Sequence, residues 1–152
     1  MRQIELLAPA RDRICGQAAI DRGADAVYIG PGRFGARENA SNDLREIESL
    51  VSYAHREWER VYATVNTLLR DDEVAPAVEL IHRLYDLGID GIIIQDVGLL
   101  ECDLPPVPII ASTQMHNDTP EKVAFLGKTG ITRAILAREL DLLVLVVLDA
   151  VH

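Results

Sequence analysis

Short apolar runs and longer amphipathic stretches alternate along this chain. The apolar runs fall at 4–8, 26–30, 61–66, 92–95, 108–112 and 134–138, and each predicts a strand. Between them the spacing becomes helical. In "DDEVAPAVELIHRLYDLG", Val74, Val78, Ile81, Leu84 and Tyr85 recur near one face, Asp71 or Asp72 can cap the start, and Pro76 is tolerable only near the first turn. "NDLREIESLVSYAHREW" places Leu44, Ile47, Leu50, Val51 and Ala54 on one face behind Asn42 or Asp43 as the cap.

Three stretches repeat one design: "DRGADAVYIG" from 21, "DLGIDGIIIQ" from 86 and "GKTGITRAIL" from 127. In each, a helix-like segment ends, a glycine follows, and a short aliphatic run begins. Gly23, Gly88 and Gly130 are therefore expected to sit in the left-handed conformation just past helix ends. Near-continuous apolar strands alternating with helices imply an α/β fold with a parallel sheet covered on both faces.

Two such folds compete. The open doubly wound sheet usually places a glycine-rich phosphate turn after its first strand, and "LLAPARDRICG" contains neither GxGxxG nor GxxxxGK[ST]. A barrel gathers polar residues at the C-terminal ends of its strands. Here the third strand ends in "VNT", the fourth in "QD", the fifth in "STQ" and the sixth in "ARE". The pattern favours the barrel, with those ends forming one polar arc.

Composition changes the picture by exclusion. The 152 residues suit one domain; 49% are hydrophobic and 26% charged, as in a globular chain. A net charge of −9 gives no general basic footprint for nucleic acid, so any such role must be local. Cys15 and Cys102 stand apart, without disulfide or zinc spacing, which fits a reducing cytoplasm. The run "LLVLVVL" at 142–148 falls far short of the roughly 18 residues of a membrane span, and the first residues carry no signal-peptide pattern.

The arc supplies the candidate chemistry. Asn66 shares a strand face with Tyr62 and Thr64, and Glu139 shares one with Ala137, which makes Asn66 and Glu139 the stronger mouth candidates. Asp96, Ser112, Thr113, Gln114 and Arg138 complete the set. All but Gln114 have a plainer role open to them: Asp96 and Asn66 as helix caps, Arg138 and Glu139 as a surface pair, Ser112 and Thr113 as a helix start, a role that does not explain Gln114. Arg33 and Arg37 in "GPGRFGARENAS" are placed to receive an anion, or to sit on a mobile connection. His116 lies beside the arc as an acid or base, or as an ordinary surface histidine; His55 and His82 fall within helical patterns. There is no GxSxG or HExxH signature.

Several blocks, in order, carry a family resemblance: "ELLAPA" at 5–10, "GADAVYIG" at 23–30, "RFGAR" at 33–37, "VYATVNTLL" at 61–69, "ASTQM" at 111–115 and "LARE" at 136–139. The chain resembles the peptidase U32 family of collagenase-like peptidases. The resemblance implies a TIM-like barrel of parallel strands, of which about six βα units are the N-terminal portion, in a domain over 1–140. It implies either a protease, with Glu139 or Asp96 activating water, or a hydroxylation factor for RNA bases or ubiquinone precursors. Such factors hold an iron–sulfur cluster on cysteines beyond the "ARE" block; Cys15 and Cys102 match no such positions, so no cluster is expected on this chain. The substrate is left as a peptide, an RNA or a small molecule.

The stretch 141–152, "DLLVLVVLDAVH", departs from the family pattern, and six candidate strands fall short of the about eight of a closed barrel. The chain is expected to be a fragment, or a product whose reading frame changes or stops near Leu140. As an uncharged, β-prone run beside the open edges of an incomplete barrel, 142–148 is expected to drive self-association; the plainer alternative is that it supplies a seventh strand. Sedimentation checks this: association that rises with concentration is expected, and a monodisperse monomer at high concentration counts against it.

Overall fold

The computed structural model describes residues 4–35 and 42–140. Six parallel strands alternate with helices in chain order: β1 (Leu7–Ala10), α1 (Arg13–Ile20), β2 (Ala26–Ile29), α2 (Leu44–Arg56), β3 (Arg60–Val65), α3 (Asp71–Asp86), β4 (Gly91–Ile94), β5 (Ile109–Ala111), α4 (Pro120–Lys128) and β6 (Arg133–Ala134). A 3-10 turn, Val97–Glu101, replaces a helix between β4 and β5. Every strand pairs with its neighbours in sequence, in the order β1-β2-β3-β4-β5-β6, so the sheet curls as an incomplete barrel. The strands expected from pattern all exist, but β1 starts later than 4–8 and β6 stops at Ala134 instead of 138. Ile4 and Leu6 are exposed, and Pro9, which has no NH to donate, is accommodated because β1 has only one partner among the described strands.

The two sheet faces bury different groups. Val27, Ile29, Val61, Ala63, Val65, Ile92, Ile94 and Ala111 are fully buried in the larger cluster shared with Ile47, Leu50, Ala54, Ile81 and Leu84 of α2 and α3. Each valine, isoleucine and leucine among them contributes roughly 1.5–3 kcal/mol of burial. Gly16 in α1 keeps this layer tight, because a Cβ there would come within 2.7 Å of a Leu50 methyl. The other face carries a smaller cluster of Ala26, Tyr62, Ile93 and Ile110, flanked by Leu7, Tyr28 and Ile135. At the N-terminal end of the strands Glu5 joins three groups: it accepts from Tyr62 Oη at 3.0 Å, pairs with Arg60 at 3.0 Å and pairs with Arg133 at the start of β6. Burial, and then the hydrogen bond to Glu5, raises the Tyr62 phenol above its ordinary range.

The repeated sequence design has a structural meaning. Gly23, Gly88 and Gly130 adopt φ of 92°, 87° and 94°, as expected past helix ends. Two residues later stand Asp25, Asp90 and Thr132, and each fastens the preceding strand. Asp25 and Asp90 accept the NH of Leu6 at 2.6 Å and of Val61 at 2.8 Å, while the Thr132 hydroxyl donates to the Ile109 carbonyl at 2.9 Å. The backbone NH of the same three residues donates to the carbonyls of Leu6, Val61 and Ile109. Helix starts are also assigned. Asp43 caps α2, whereas Asn42 serves elsewhere. Arg70, not Asp71 or Asp72, is the cap residue of α3, with the Glu73 carboxylate accepting its NH at 3.0 Å; the two aspartates lie in the first turn, where the helix dipole favours them. Pro76 falls in the second turn of α3, one turn later than the sequence favours.

A fourth copy of the design is concealed before β3. Trp58 holds the glycine position with φ of 66° and lies 93% exposed, and Arg60 stands where the other copies have Asp or Thr. The left-handed conformation costs a residue with a Cβ about 1–2 kcal/mol, against roughly 0.5–1 kcal/mol of backbone entropy for glycine. Trp58→Gly is therefore expected to raise unfolding stability by about 0.5–1 kcal/mol, read from the urea midpoint. A lower midpoint would mean that the indole covers apolar surface.

Candidate functional site

The C-terminal ends of β3, β4 and β5 bring their polar residues into one group. Asn66 Nδ2 donates to Ser112 Oγ at 3.3 Å, linking the ends of β3 and β5. From the end of β4 Gln95 Nε2 donates to the Gln114 carbonyl at 3.3 Å. Thr113 and Gln114 are exposed on the 3-10 turn Thr113–Met115, whose start is capped by the buried Ser112. The amides of Asn66 and Gln95 and the hydroxyl of Ser112 thus bond within the group, and Thr113 and Gln114 are its exposed members.

Asp96 stands in this group with both carboxylate oxygens engaged. Oδ1 accepts from Gly98 N at 2.8 Å, and Oδ2 accepts from Leu69 N at 3.0 Å. It caps the turn after β4 and ties down the loop after β3, the plainer role open to it.

Arg138 and Glu139 are exposed in a turn beyond β6. The strand ends at Ala134, so alternation along it does not extend to Glu139, and the face assigned to that residue from the sequence has no strand to rest on. What places this turn is Asn117, fully buried between the ends of β5 and β6. Its Nδ2 donates to the carbonyls of Ser112 at 2.9 Å and Ile135 at 2.8 Å, and its own carbonyl receives the NH of Ala137 at 3.0 Å.

Arg33 stands apart from the group. Its guanidinium lies 4.7 Å over the ring of Phe34, and it lines a cleft of about 370 Å³ with Asp43, Glu79 and Arg83, between the β2 loop and helices α2 and α3. Carboxylates share that cleft with the arginines, so it is not a purely cationic site. Arg37 and the 141–152 tail fall outside the described residues.

Sequence reasoning overlooked four contributors. Gln95 and Asn117 hold the loops that carry candidates, and Asn42 joins Arg11 O at 3.0 Å to Gly30 O at 2.9 Å across the ends of β1 and β2. Asp12, just beyond β1, caps α1; the NH of Cys15, and then Arg11, hold its carboxyl down at about 2. All four stand in polar stretches beyond strand ends, where the residue type alone does not separate a backbone tie from a surface group. Cys15 and Cys102 are free thiols in α1 and at the end of the turn after β4. Among the described residues no three His, Cys, Asp or Glu side chains gather as a metal-ligand group, and an iron–sulfur cluster commonly needs about four thiolates. The residues present do not fit such a cluster.

Residues 12–145 match the family described as Peptidase family U32. The chain is 52% identical over 140 residues to a 23S rRNA 5-hydroxycytidine synthase of Escherichia coli strain K12, covering 92% of this chain and 21% of that protein. It is 34% identical over 139 residues to tRNA hydroxylation protein P1 of Bacillus subtilis strain 168, covering 89% of this chain and 33% of that one. This chain thus spans about a fifth to a third of those relatives. Among solved structures the U32 peptidase Mk0906 superposes with a TM-score of 0.70 at 18% identity, over 90% of this chain and 59% of the other, which shows a shared fold.

Asp96 is expected to act as an anchor first. An amide offers one acceptor where Asp96 uses two, so Asp96→Asn should lower stability by about 1–3 kcal/mol. Thermal unfolding checks this, and an unchanged Tm would return Asp96 to the list of free bases.

Proposed function

We propose, from the premise that this chain belongs to peptidase family U32, that it forms the substrate-facing N-terminal part of an RNA-hydroxylating protein. The observation that carries the reading is the 52% identity across 92% of the chain to a 23S rRNA 5-hydroxycytidine synthase, with a tRNA hydroxylation protein at 34%. The peptidase expectation is supported by the family alone, and these relatives favour the hydroxylation alternative over it.

The geometry supports the same substrate class. Amide side chains offer a donor and an acceptor side by side, the pairing that the edge of a nucleobase requires. Asn66 and Gln114 supply two such amides near the ends of β3 and β5, with Ser112 and Thr113 hydroxyls beside them. A base reached by such groups must leave its stack, which suits a site walled by strand ends. Arg138, exposed in the turn after β6, is assigned to a phosphate, and Glu139 to a substrate hydroxyl or amine. With a net charge of −9, affinity does not come from broad phosphate neutralisation; it comes from local contacts. No step is routed through a cluster on this chain.

The test is nucleoside mass spectrometry of ribosomal and transfer RNA from the source organism with and without the locus. Loss of a nucleoside bearing one extra oxygen, restored by the intact gene, is expected. Gln114→Ala and Asn66→Ala should each weaken restoration by an amount equivalent to about 1–3 kcal/mol of base discrimination. An unchanged nucleoside profile in the deletion strain would sink the reading.

A further inference from the structure

The loop that follows β5 is fixed to an unusual degree. From Ser112 to Asn117 every backbone carbonyl has a donor. Ser112 O takes Asn117 Nδ2, Thr113 O takes His116 N, Gln114 O takes Gln95 Nε2, and Asn117 O takes Ala137 N. The carbonyls of Met115 and His116 both take Lys122 Nζ from the first turn of α4, the second at 2.9 Å. Four of the six carbonyls are thus held by side chains, drawn from β4, from α4 and from the loop itself. An ordinary surface turn leaves such groups to water.

On this fixed backbone His116 is exposed, in the left-handed conformation with φ of 54° and ψ of 61°. Residues with a Cβ rarely adopt it, and it persists where the surroundings enforce it. Asp118 Oδ2 lies 3.2 Å from His116 Nε2. In the neutral ring a carboxylate there selects the tautomer with the proton on Nε2, leaving Nδ1 as an acceptor. Gln114, two residues away on the same turn, carries the exposed amide already assigned to the substrate.

We infer that His116 is a substrate-contacting residue, its imidazole oriented by Asp118 to accept a hydrogen bond from an NH or OH group of an RNA nucleotide, with Lys122 as the positioning residue that locks the loop. This rests on the RNA reading of the same strand ends. The loop holds the ring in place before the nucleotide arrives, so little ordering remains to be done on binding.

The experiment returns the full gene, intact or altered, to the deletion strain at matched protein levels, and measures the modified fraction of the affected nucleoside alongside the Tm of each purified protein. His116→Gly relieves the left-handed conformation and His116→Asn tolerates it, so both should keep Tm within about 4 °C. Both should lower the modified fraction at least about tenfold, the equivalent of one lost hydrogen bond to substrate. Lys122→Met should lower it as well, and Lys122→Arg should recover most of it. Full modification by either His116 variant would overturn the inference while leaving the RNA reading intact. Absence of the modification even with the intact gene would overturn the RNA reading, and this inference with it.

Discussion

In a parallel sheet the first and last backbone groups of each strand have no neighbour at the right height, and burying them unpaired costs about 1–3 kcal/mol each. This protein meets that constraint with side chains placed one strand further along. At the N-terminal ends Asp25, Asp90 and Thr132 each fasten the strand before their own; beyond the C-terminal ends Asn42 ties the residues after β1 and β2, Asp96 takes the Leu69 NH of the loop after β3, and Asn117 ties the residues after β5 and β6. Register follows from these clips, because a slip of one residue would break them and turn apolar side chains to the wrong face. The rest of the fold, helices included, is laid over a sheet whose ends are already fixed.

The two ends then diverge in use. At the N-terminal end the clips lie beside a closed ionic network in which Glu5 satisfies Arg60, Arg133 and Tyr62 together. At the C-terminal end the clips hold backbone, and around them Thr113 and Gln114 are exposed while Asn66 and Gln95 are half-buried and Ser112 is buried. Asn117 fastens β5 to β6 and sets the loop with Gln114 against the turn with Arg138 and Glu139. The ionic network and the candidate site thus lie at opposite ends of the same strands.

The sequence showed much of this, for reasons that can be named. Apolar runs gave all six strands because a strand covered on both faces has no polar positions to hide it, and three glycines marked helix ends because only glycine enters that conformation freely. The fourth copy escaped notice because Trp58 and Arg60 replace the glycine and the aspartate, leaving conformation without composition. β6 was drawn too long since "RAILARE" alternates like a strand, yet only Arg133 and Ala134 pair with β5. Gln114 stands out as a polar residue for which the pattern offers no capping role, and its side chain is exposed. Asp96 and Asn117 were harder to read, because one carboxylate or amide looks alike whether it faces a substrate or a backbone NH.

The contact between Glu5 and Arg133 joins residues 128 positions apart, whereas every strand pairing joins neighbours in sequence. Loop-closure entropy rises with the length enclosed, so the pairings can form one after another as the chain lengthens; Glu5 can meet Arg60 and Tyr62 once β3 is in place, and only its contact with Arg133 must wait for the last. A nascent chain could then assemble this sheet from its first residue onward. The Glu5 carboxylate would act as its final latch, closing only when the sixth strand has arrived.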